Sequence, residues 1–295
     1  MKWLKGMALL LIANVLIFIT LSISFNLLVN IILPAFGIDV RGAVDQQDLL
    51  WAIVLGFGGA FISLAFSKQM ARMALDCYQI TQPKNQAEQV IFGAVQEIAQ
   101  RLHITMPEVW VYESPDPNAF ATGPSKNNSM VAVSTGLLGN LNEKEVQAVL
   151  AHEMGHVCNG DMFATTILAG LMNTFVYLIS RWAYRNLAER NAMLGLFVYY
   201  FLQIVLSFLA MIPISWFSRR REYAADAFSA RVYGKDAMIA ALRAIDRWVS
   251  KAQFEHSTQD SLATMKISGR SSGFLHMFAT HPPIEDRVAA LQRLS

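Results

Sequence analysis

Four long stretches without a charged side chain constrain the fold of this 295-residue chain more than any other feature of its sequence. They comprise residues 6–38, 49–67, 162–180 and 191–218. The hydrocarbon core of a bilayer is about 30 Å thick, and roughly 20 apolar residues of α-helix cross it. Charged residues make up only 16% of the chain, against roughly 25% in ordinary soluble domains. We therefore predict four transmembrane or membrane-embedded helices, the alternative being hairpins buried inside a soluble protein.

The basic residues beside these stretches predict the orientation of the chain, because cytoplasmic loops carry an excess of lysine and arginine. Such residues precede the first stretch and follow the second and fourth: Lys2, Lys5, Lys68, Arg72, Arg219, Arg220 and Arg221. We expect the first stretch to be retained as an anchor, since it is longer than the roughly 7–15 apolar residues of a signal peptide. The N-terminus and the polar segments then lie in the cytoplasm.

One loop disagrees with this orientation. Arg181, Arg185 and Arg190 lie between the third and fourth stretches, and a simple four-span topology would export them. The alternative is a hairpin that dips into the bilayer, or packs beside it, without crossing. The sequence leaves both arrangements open.

The polar segments predict a mostly helical α+β domain interrupted by the membrane hairpin. Between residues 108 and 134 we expect short strands in which apolar and polar residues alternate, paired in a small antiparallel sheet. Pro and Asn residues mark the turns between them. A helix follows, with Asn142 as N-cap and Glu145 completing a capping box. The sequence predicts four parts: an N-terminal anchor 1–67, a first cytoplasmic part 68–161, a membrane hairpin 162–218 and a second cytoplasmic part 219–295.

The segment "HEMGH" places two histidines and a glutamate at the spacing of a metal site. His152 and His156 are four residues apart, so they share one face of a helix and can direct imidazole nitrogens to one point. Zinc in catalytic sites takes such nitrogens and is completed by a carboxylate and water. Glu153 lies beside the metal without being on the ligand face, where a general base belongs. Two surface histidines on an amphipathic helix are the structural alternative.

The segment "REYAAD" supplies the third predicted ligand. Glu222 lies on a predicted helix, and Asp226 follows four residues later on the same face. If Glu222 binds zinc, Asp226 can accept the outer N–H of a ligand histidine and fix its tautomer. The alternatives are a solvated glutamate and a helix salt bridge from Asp226 to Arg219 or Arg231.

The motifs "HEMGH", "REYAAD", "PNAFATG" and "THPP" together resemble the HtpX family of membrane-bound zinc metalloproteases, which are related to the CAAX prenyl proteases. The resemblance implies a zincin-like domain of the gluzincin type, with one zinc ion on His152, His156 and Glu222 and with Glu153 as the catalytic glutamate. It also implies that His281 helps to stabilise the tetrahedral intermediate, the alternative being a helix-entry cap. The resemblance further implies an edge strand that binds a peptide by strand addition; its residues are Asn118, Ala119, Phe120 and Ala121. For Asn118 the alternative is a turn residue.

The resemblance also implies a function: zinc-dependent cleavage of misfolded or damaged membrane proteins at the cytoplasmic face of a bacterial inner membrane, as part of quality control under stress. The expected partners are peptide or membrane-protein substrates and the lipid bilayer. A net charge of +2 and the lack of a basic stripe argue against nucleic acid. Two alternatives stay open: a processing protease for lipidated C-termini, and a metal-stabilised scaffold or chaperone without turnover. Replacing Glu153 by Gln separates the scaffold from a protease, because only a protease loses its effect.

Overall fold

A computed structural model describes residues 46–257 and 281–294 of the chain, together with the single positions 31 and 34. Helices dominate, and four short strands lie between them. In chain order the elements are α1 (Gln46–Ala65), α2 (Ser67–Ala74), β1 (Cys77–Gln79), α3 (Gln86–Arg101), β2 (Glu108–Tyr112), β3 (Ala119–Ser125), β4 (Asn128–Ser134), α4 (Thr135–Asn140), α5 (Glu143–Asn159), α6 (Asp161–Ala188), α7 (Ala192–Tyr233), α8 (Lys235–Ser257) and α9 (Ile284–Gln292).

The four strands form one mixed sheet in the order β1-β2-β4-β3. Strands β3 and β4 are antiparallel, with Ala119 opposite Val133, and β1 is antiparallel to β2. Strand β2 runs parallel to β4, with Glu108 opposite Met130. The prediction of an antiparallel sheet is therefore wrong for this pair. The β3–β4 hairpin docks with its second strand against β2, and alternation along the sequence does not reveal which strand of a hairpin will be central.

Strand β4 is central because it is apolar on both faces. Six of its seven residues are buried. Val131 and Val133 face the main core, while Met130 and Ala132 face a smaller cluster on the other side of the sheet. Strand β3 consequently forms one edge of the sheet. Among the described residues, no other strand pairs with its outer side.

The main core lies between the sheet and helices α3, α5, α8 and α9. Helix α5 is packed against α3, α8 and β3, and most of its residues between Val146 and Val157 are buried. The predicted capping box at its start is confirmed: Asn142 Oδ1 accepts from Glu145 N–H, and Glu145 Oε2 accepts from Asn142 N–H. Each such cap typically stabilises a helix by about 1 kcal/mol. The helix that carries "HEMGH" is thus fixed at its start and along its length.

Three of the described helices are long and apolar enough to cross a membrane, namely α1 from Gln47, α6 and α7. The sequence predicted four such segments. The first, residues 6–38, lies outside the two described ranges, so the described residues contain three candidate spans. Helix α7 continues from the fourth predicted segment into "REYAAD" without a break.

The chain divides into two compact units. One contains α1 as far as Ser63 together with Thr166–Ile212, and the other contains Leu64–Thr165 and the residues from Pro213 onward. In the first unit, small residues allow α1 and α6 to approach closely. A Cβ atom added to Gly56 would lie 2.8 Å from the backbone nitrogen of Thr174. The four domain boundaries expected from the sequence stay a prediction.

An ion-pair cluster joins the same two helices. Asp48 is only 6% exposed. Its carboxylate accepts hydrogen bonds from Arg181 Nε at 3.0 Å and Arg185 Nη1 at 2.8 Å. Two of the three arginines that disagreed with the predicted orientation therefore have a carboxylate partner on α1.

Candidate active site

Helix α5 brings the two histidines of "HEMGH" together. Their spacing of four residues places them one turn apart on the same face. The Nε2 atoms of His152 and His156 lie 3.2 Å from each other. His152 is buried, and His156 is partly exposed, with 18% of its side-chain surface accessible.

Glu222 reaches this pair from helix α7. Its Oε2 lies 3.4 Å from His152 Nε2, and its Oε1 lies 3.4 Å from His156 Nε2. Each of the three side chains contributes one potential ligand atom, and these three atoms all lie within 4.8 Å of one another. The structure therefore assembles the three residues that the sequence predicted as ligands.

The outer nitrogen of each histidine faces a carboxylate. His152 Nδ1 lies 2.9 Å from Asp226 Oδ1, and His156 Nδ1 lies 2.6 Å from Asp161 Oδ2. A carboxylate at Nδ1 favours the tautomer that carries its proton there, which leaves the lone pair on Nε2. Asp226 thus occupies the position expected for it, and Asp161 is a second such residue that the sequence had not indicated.

These contacts test whether the residues fit a metal ion. Two Nε2 lone pairs and a carboxylate converge on one point. Glu222 Oε2 is buried and receives no hydrogen bond of acceptable geometry. A cation at this point would be bound by both imidazoles and by the carboxylate. The donor set of two imidazoles and one carboxylate is that of a catalytic zinc site, so the residues fit.

Glu153 and His281 are the two remaining polar groups predicted for catalysis. Glu153 is half-buried beside the ligand histidines, and burial raises the pKa of its carboxyl above the usual value. His281 is largely exposed, and its Nδ1 lies 2.9 Å from Glu222 Oε2. The structure therefore brings His281 to the site, although nearly 60 residues separate it from Glu222 in sequence.

Arg287 on helix α9 is a member of the site that the sequence had not indicated. Its guanidinium forms two hydrogen bonds with Asp226, from Nε to Oδ2 at 2.8 Å and from Nη2 to Oδ1 at 2.6 Å. Arg287 is 8% exposed. Its Nη1 also lies 3.4 Å from Glu222 Oε2. The two buried carboxylates, Asp226 and Glu222, therefore share a counter-charge, and Arg287 Nη2 also lies 3.4 Å from His152 Nδ1.

The predicted peptide-binding residues lie at the start of the edge strand. Asn118 is exposed and holds the strand end through two hydrogen bonds with Ser134, from its N–H to Oγ and from Ser134 N–H to its carbonyl, each 2.9 Å long. Residues 119–121 belong to β3, which packs beside α5. Their side chains are half-buried.

Gly155, in the middle of "HEMGH", lets helix α7 approach α5 closely. A Cβ atom at this position would lie 3.2 Å from Ala225 Cα and 3.3 Å from Phe228 Cβ. Ser229 Oγ donates to the carbonyl of Ala148 at 2.6 Å and joins the same two helices. The separation of α5 and α7 determines where Glu222 meets the histidines.

Replacing Gly155 by Val should therefore push α7 away and displace Glu222 from the histidines. We expect stability to fall by roughly 1–3 kcal/mol, as overpacking usually causes, together with weaker metal binding. Metal content and thermal unfolding of the purified variant would measure both effects. Gly93→Val is the matched control, because Gly93 is also helical and a Cβ atom there meets no atom within 4 Å. Equal behaviour of the two variants would contradict the prediction.

Comparisons with known proteins agree with this geometry. The model of peptidase family M48 matches residues 85–295. Protease HtpX homolog from Methylacidiphilum infernorum is 42% identical, covering 98% of this chain and 99% of that protein. Protease HtpX from Idiomarina loihiensis is also 42% identical, with the same coverage, and Protease HtpX from Pasteurella multocida is 42% identical over 95% of this chain and 98% of its own length.

A crystal structure of Ste24p from S. mikatae shares the fold. Its TM-score is 0.61, it is 18% identical, and the alignment covers 95% of this chain and 67% of that chain. The predicted fold class of a mostly helical α+β membrane protein is confirmed. The family match and the full-length relatives show that the chain belongs to peptidase family M48, as a membrane metalloprotease of the HtpX type.

Proposed function

We propose that this protein is a zinc-dependent endopeptidase that cleaves misfolded or damaged membrane proteins at the cytoplasmic face of a bacterial inner membrane. The observation that carries the proposal is the convergence of His152, His156 and Glu222 on one point, with Glu153 beside them. In sequence, the histidines precede α6, and Glu222 follows the apolar part of α7, which ends at Ser218. A protease built this way is suited to substrates that are themselves membrane proteins.

Zinc is the proposed metal, with one ion per chain on His152, His156 and Glu222. The carboxylates at both Nδ1 atoms support this assignment, because they hold the histidines in the tautomer that a metal requires. When bound, zinc supplies a water of lowered pKa and polarises the scissile carbonyl.

Glu153 is the proposed general base and acid. It accepts a proton from the attacking water and returns it to the leaving amine. Burial raises the pKa of Glu153, which brings it closer to neutrality. A general base is more effective when its pKa lies nearer to the working pH, so this shift favours the proposed role. The proposed role of the exposed His281 is to donate a hydrogen bond to the developing oxyanion.

The substrate backbone is proposed to pair with the outer edge of β3, near residues 118–121. This edge carries backbone donors and acceptors that no other described strand uses. An extended peptide added there would lie alongside the strand that packs beside α5. Main-chain pairing of this kind gives affinity with little demand on sequence, as suits an enzyme for varied damaged substrates.

The cytoplasmic orientation rests on the basic residues and on Asp48. Lys68 and Arg72 follow α1, and the excess of basic residues predicts that this end is cytoplasmic. Asp48, at the other end of α1, pairs with Arg181 and Arg185 on α6. If α1 crosses the bilayer, these two arginines lie at the end of α1 that is away from the cytoplasm. Asp48 partly neutralises their charge there. The pairing supports two crossing helices over a hairpin that only dips into the bilayer.

The test uses the full-length protein in sealed membrane vesicles. A water-soluble peptide, copied from an unstructured cytoplasmic loop of a membrane-protein substrate, is added outside the vesicles. We expect the peptide to be cleaved by inverted vesicles and not by right-side-out vesicles. Chelation should abolish cleavage and stoichiometric zinc should restore it. Cleavage that survives chelation would contradict the proposed metal, and cleavage only in right-side-out vesicles would contradict the proposed orientation.

A further inference from the structure

An ion pair next to the ligand set has no role in the mechanism above. Arg221 Nη2 pairs with Asp161 Oδ1. The same Nη2 donates to the carbonyl of Asn159 at 3.0 Å. Asp161 is the first residue of α6 and is 6% exposed, while Arg221 directly precedes Glu222 on α7. The pair therefore joins the beginning of one long apolar helix to the end of the apolar part of the other.

The carboxylate of Asp161 has two partners at once. One oxygen pairs with Arg221, and the other lies 2.6 Å from Nδ1 of His156. The same order of groups, from arginine to carboxylate to histidine, occurs again at the other ligand histidine, with Arg287, Asp226 and His152. Each ligand histidine is thus backed by a carboxylate, and each carboxylate is backed by an arginine.

A break in the helix makes the contact of Asp161 possible. On an unbroken α-helix, a residue five positions after His156 would lie about 140° around the axis from it. Helix α5 instead ends at Gly160, which has φ +70 and donates its N–H to the carbonyls of His156 and Val157. Glycine adopts this left-handed conformation without strain. The turn brings Asp161 back to the face that carries His156.

Arg221 differs from the basic residue that precedes it. The guanidinium of Arg220 lies 4.7 Å from the ring centroid of Trp216, and its side chain is exposed. Arg220 therefore fits the reading of this basic run as a topology signal. The guanidinium of Arg221 also lies near a ring, 5.5 Å from the centroid of Phe217, but in addition it pairs with Asp161 and donates to the carbonyl of Asn159.

We propose that Asp161 and Arg221 are a positioning pair that couples the open end of the α6–α7 hairpin, away from its connecting turn, to the orientation of His156. While the pair is formed, Asp161 is held against Nδ1 and His156 presents Nε2 to the metal. When the helix ends separate, Asp161 loses its counter-charge and His156 loses its fixed orientation. Metal affinity thus depends on whether the two helix ends are held together by this ion pair. This inference rests on the proposed function, because it assumes that His156 is a ligand.

The test measures zinc affinity of the full-length protein in detergent by competition with a chromophoric chelator, without any substrate. We expect Asp161→Ala to weaken zinc binding roughly 10–100-fold, the usual effect of removing a partner of a ligand histidine. Arg221→Gln should weaken it less, and Arg221→Lys should recover part of the loss. Arg220→Gln is the matched control, which removes the same charge one residue earlier and should bind zinc as the wild type does.

Two further readouts separate positioning from general stability. Thermal unfolding in the presence of chelator reports whether a variant is folded without metal, and the visible spectrum of the Co²⁺-substituted protein reports the ligand geometry. We expect Asp161→Ala and Arg221→Gln to change the Co²⁺ spectrum, and Arg220→Gln to leave it unchanged. If Asp161→Ala fails to fold, Arg221→Gln and Arg221→Lys give the same readout.

The outcomes distinguish this inference from the proposed function. Wild-type zinc affinity and an unchanged Co²⁺ spectrum in the folded Asp161 and Arg221 variants would overturn the positioning pair alone. A wild-type protein that binds no zinc, or that binds it equally well after His156→Ala, would overturn the proposed function itself.

Discussion

Replacing Glu153 by Gln should lower the rate of peptide cleavage by roughly 10²–10⁴-fold, the range that a positioned general base contributes. The amide keeps the shape of the side chain but cannot accept the proton of the attacking water. Zinc content should stay at the wild-type level, because Glu153 is not among the three side chains that converge as ligands. The measurement combines the turnover of a fluorogenic peptide with the metal content of the same preparation.

Glu143→Gln provides the matched control for this experiment. Glu143 lies at the start of the same helix, where its Oε1 accepts a hydrogen bond from Gln86, so the chemical change is identical and remote from the ligands. A Glu153→Gln variant that cleaves at the rate of this control would exclude Glu153 as the base. If the Glu153→Gln variant keeps the cellular effect of the protein without cleaving peptides, the result would instead favour a scaffold or chaperone.

Replacing Arg287 by Met should destabilise the protein by about 3–5 kcal/mol, because it leaves a buried carboxylate without its counter-charge. Asp226 is 2% exposed and accepts two hydrogen bonds from Arg287. Thermal or denaturant unfolding in detergent, with chelator present, would measure the loss without a contribution from metal. Because Asp226 also contacts Nδ1 of His152, zinc affinity should fall as well, by roughly 10–100-fold.

Two variants make the Arg287 result specific. Arg293→Met, at the exposed end of the same helix, should leave both stability and zinc affinity close to the wild type. Arg287→Met combined with Asp226→Leu should recover much of the lost stability, since replacing both members of a buried pair by apolar groups is often neutral. A double variant less stable than Arg287→Met alone would contradict this account.

Two parts of the proposed ligand set could be predicted from the sequence because their geometry is local, and the resemblance to the HtpX family joined them. His152 and His156 share a helical face by spacing alone, and Glu222 with Asp226 repeats that spacing on another helix. A pair four residues apart is a strong constraint, since the helix fixes the relative position of its members. The structure brings all four together.

Asp161 and Arg287 were missed because their contacts depend on features that spacing does not express. Asp161 reaches His156 only through the left-handed turn at Gly160. Arg287 did carry a signal: it lies with Val288 and Leu291 on the buried side of α9, and a charged residue in an apolar stripe usually has a buried partner. The identity of that partner depends on how α9 packs in three dimensions.

The sheet shows a similar limit. Alternation located strands β2 and β4, but their parallel pairing depends on which strand of the β3–β4 hairpin docks against β2. That choice is made by the packing of both faces of β4, which six buried residues line. Short strands contain too few residues for a pattern to distinguish an edge from a centre.

The position of Glu222 after the apolar parts of α6 and α7 has a consequence for the order in which the site is made. His152 and His156 leave the ribosome well before Glu222, the proposed third ligand, which is synthesised only after both apolar segments. A chain whose synthesis has not passed the apolar part of α7 therefore lacks one of the three proposed ligands. With this ligand set, a complete metal site can form only after both apolar segments have been made.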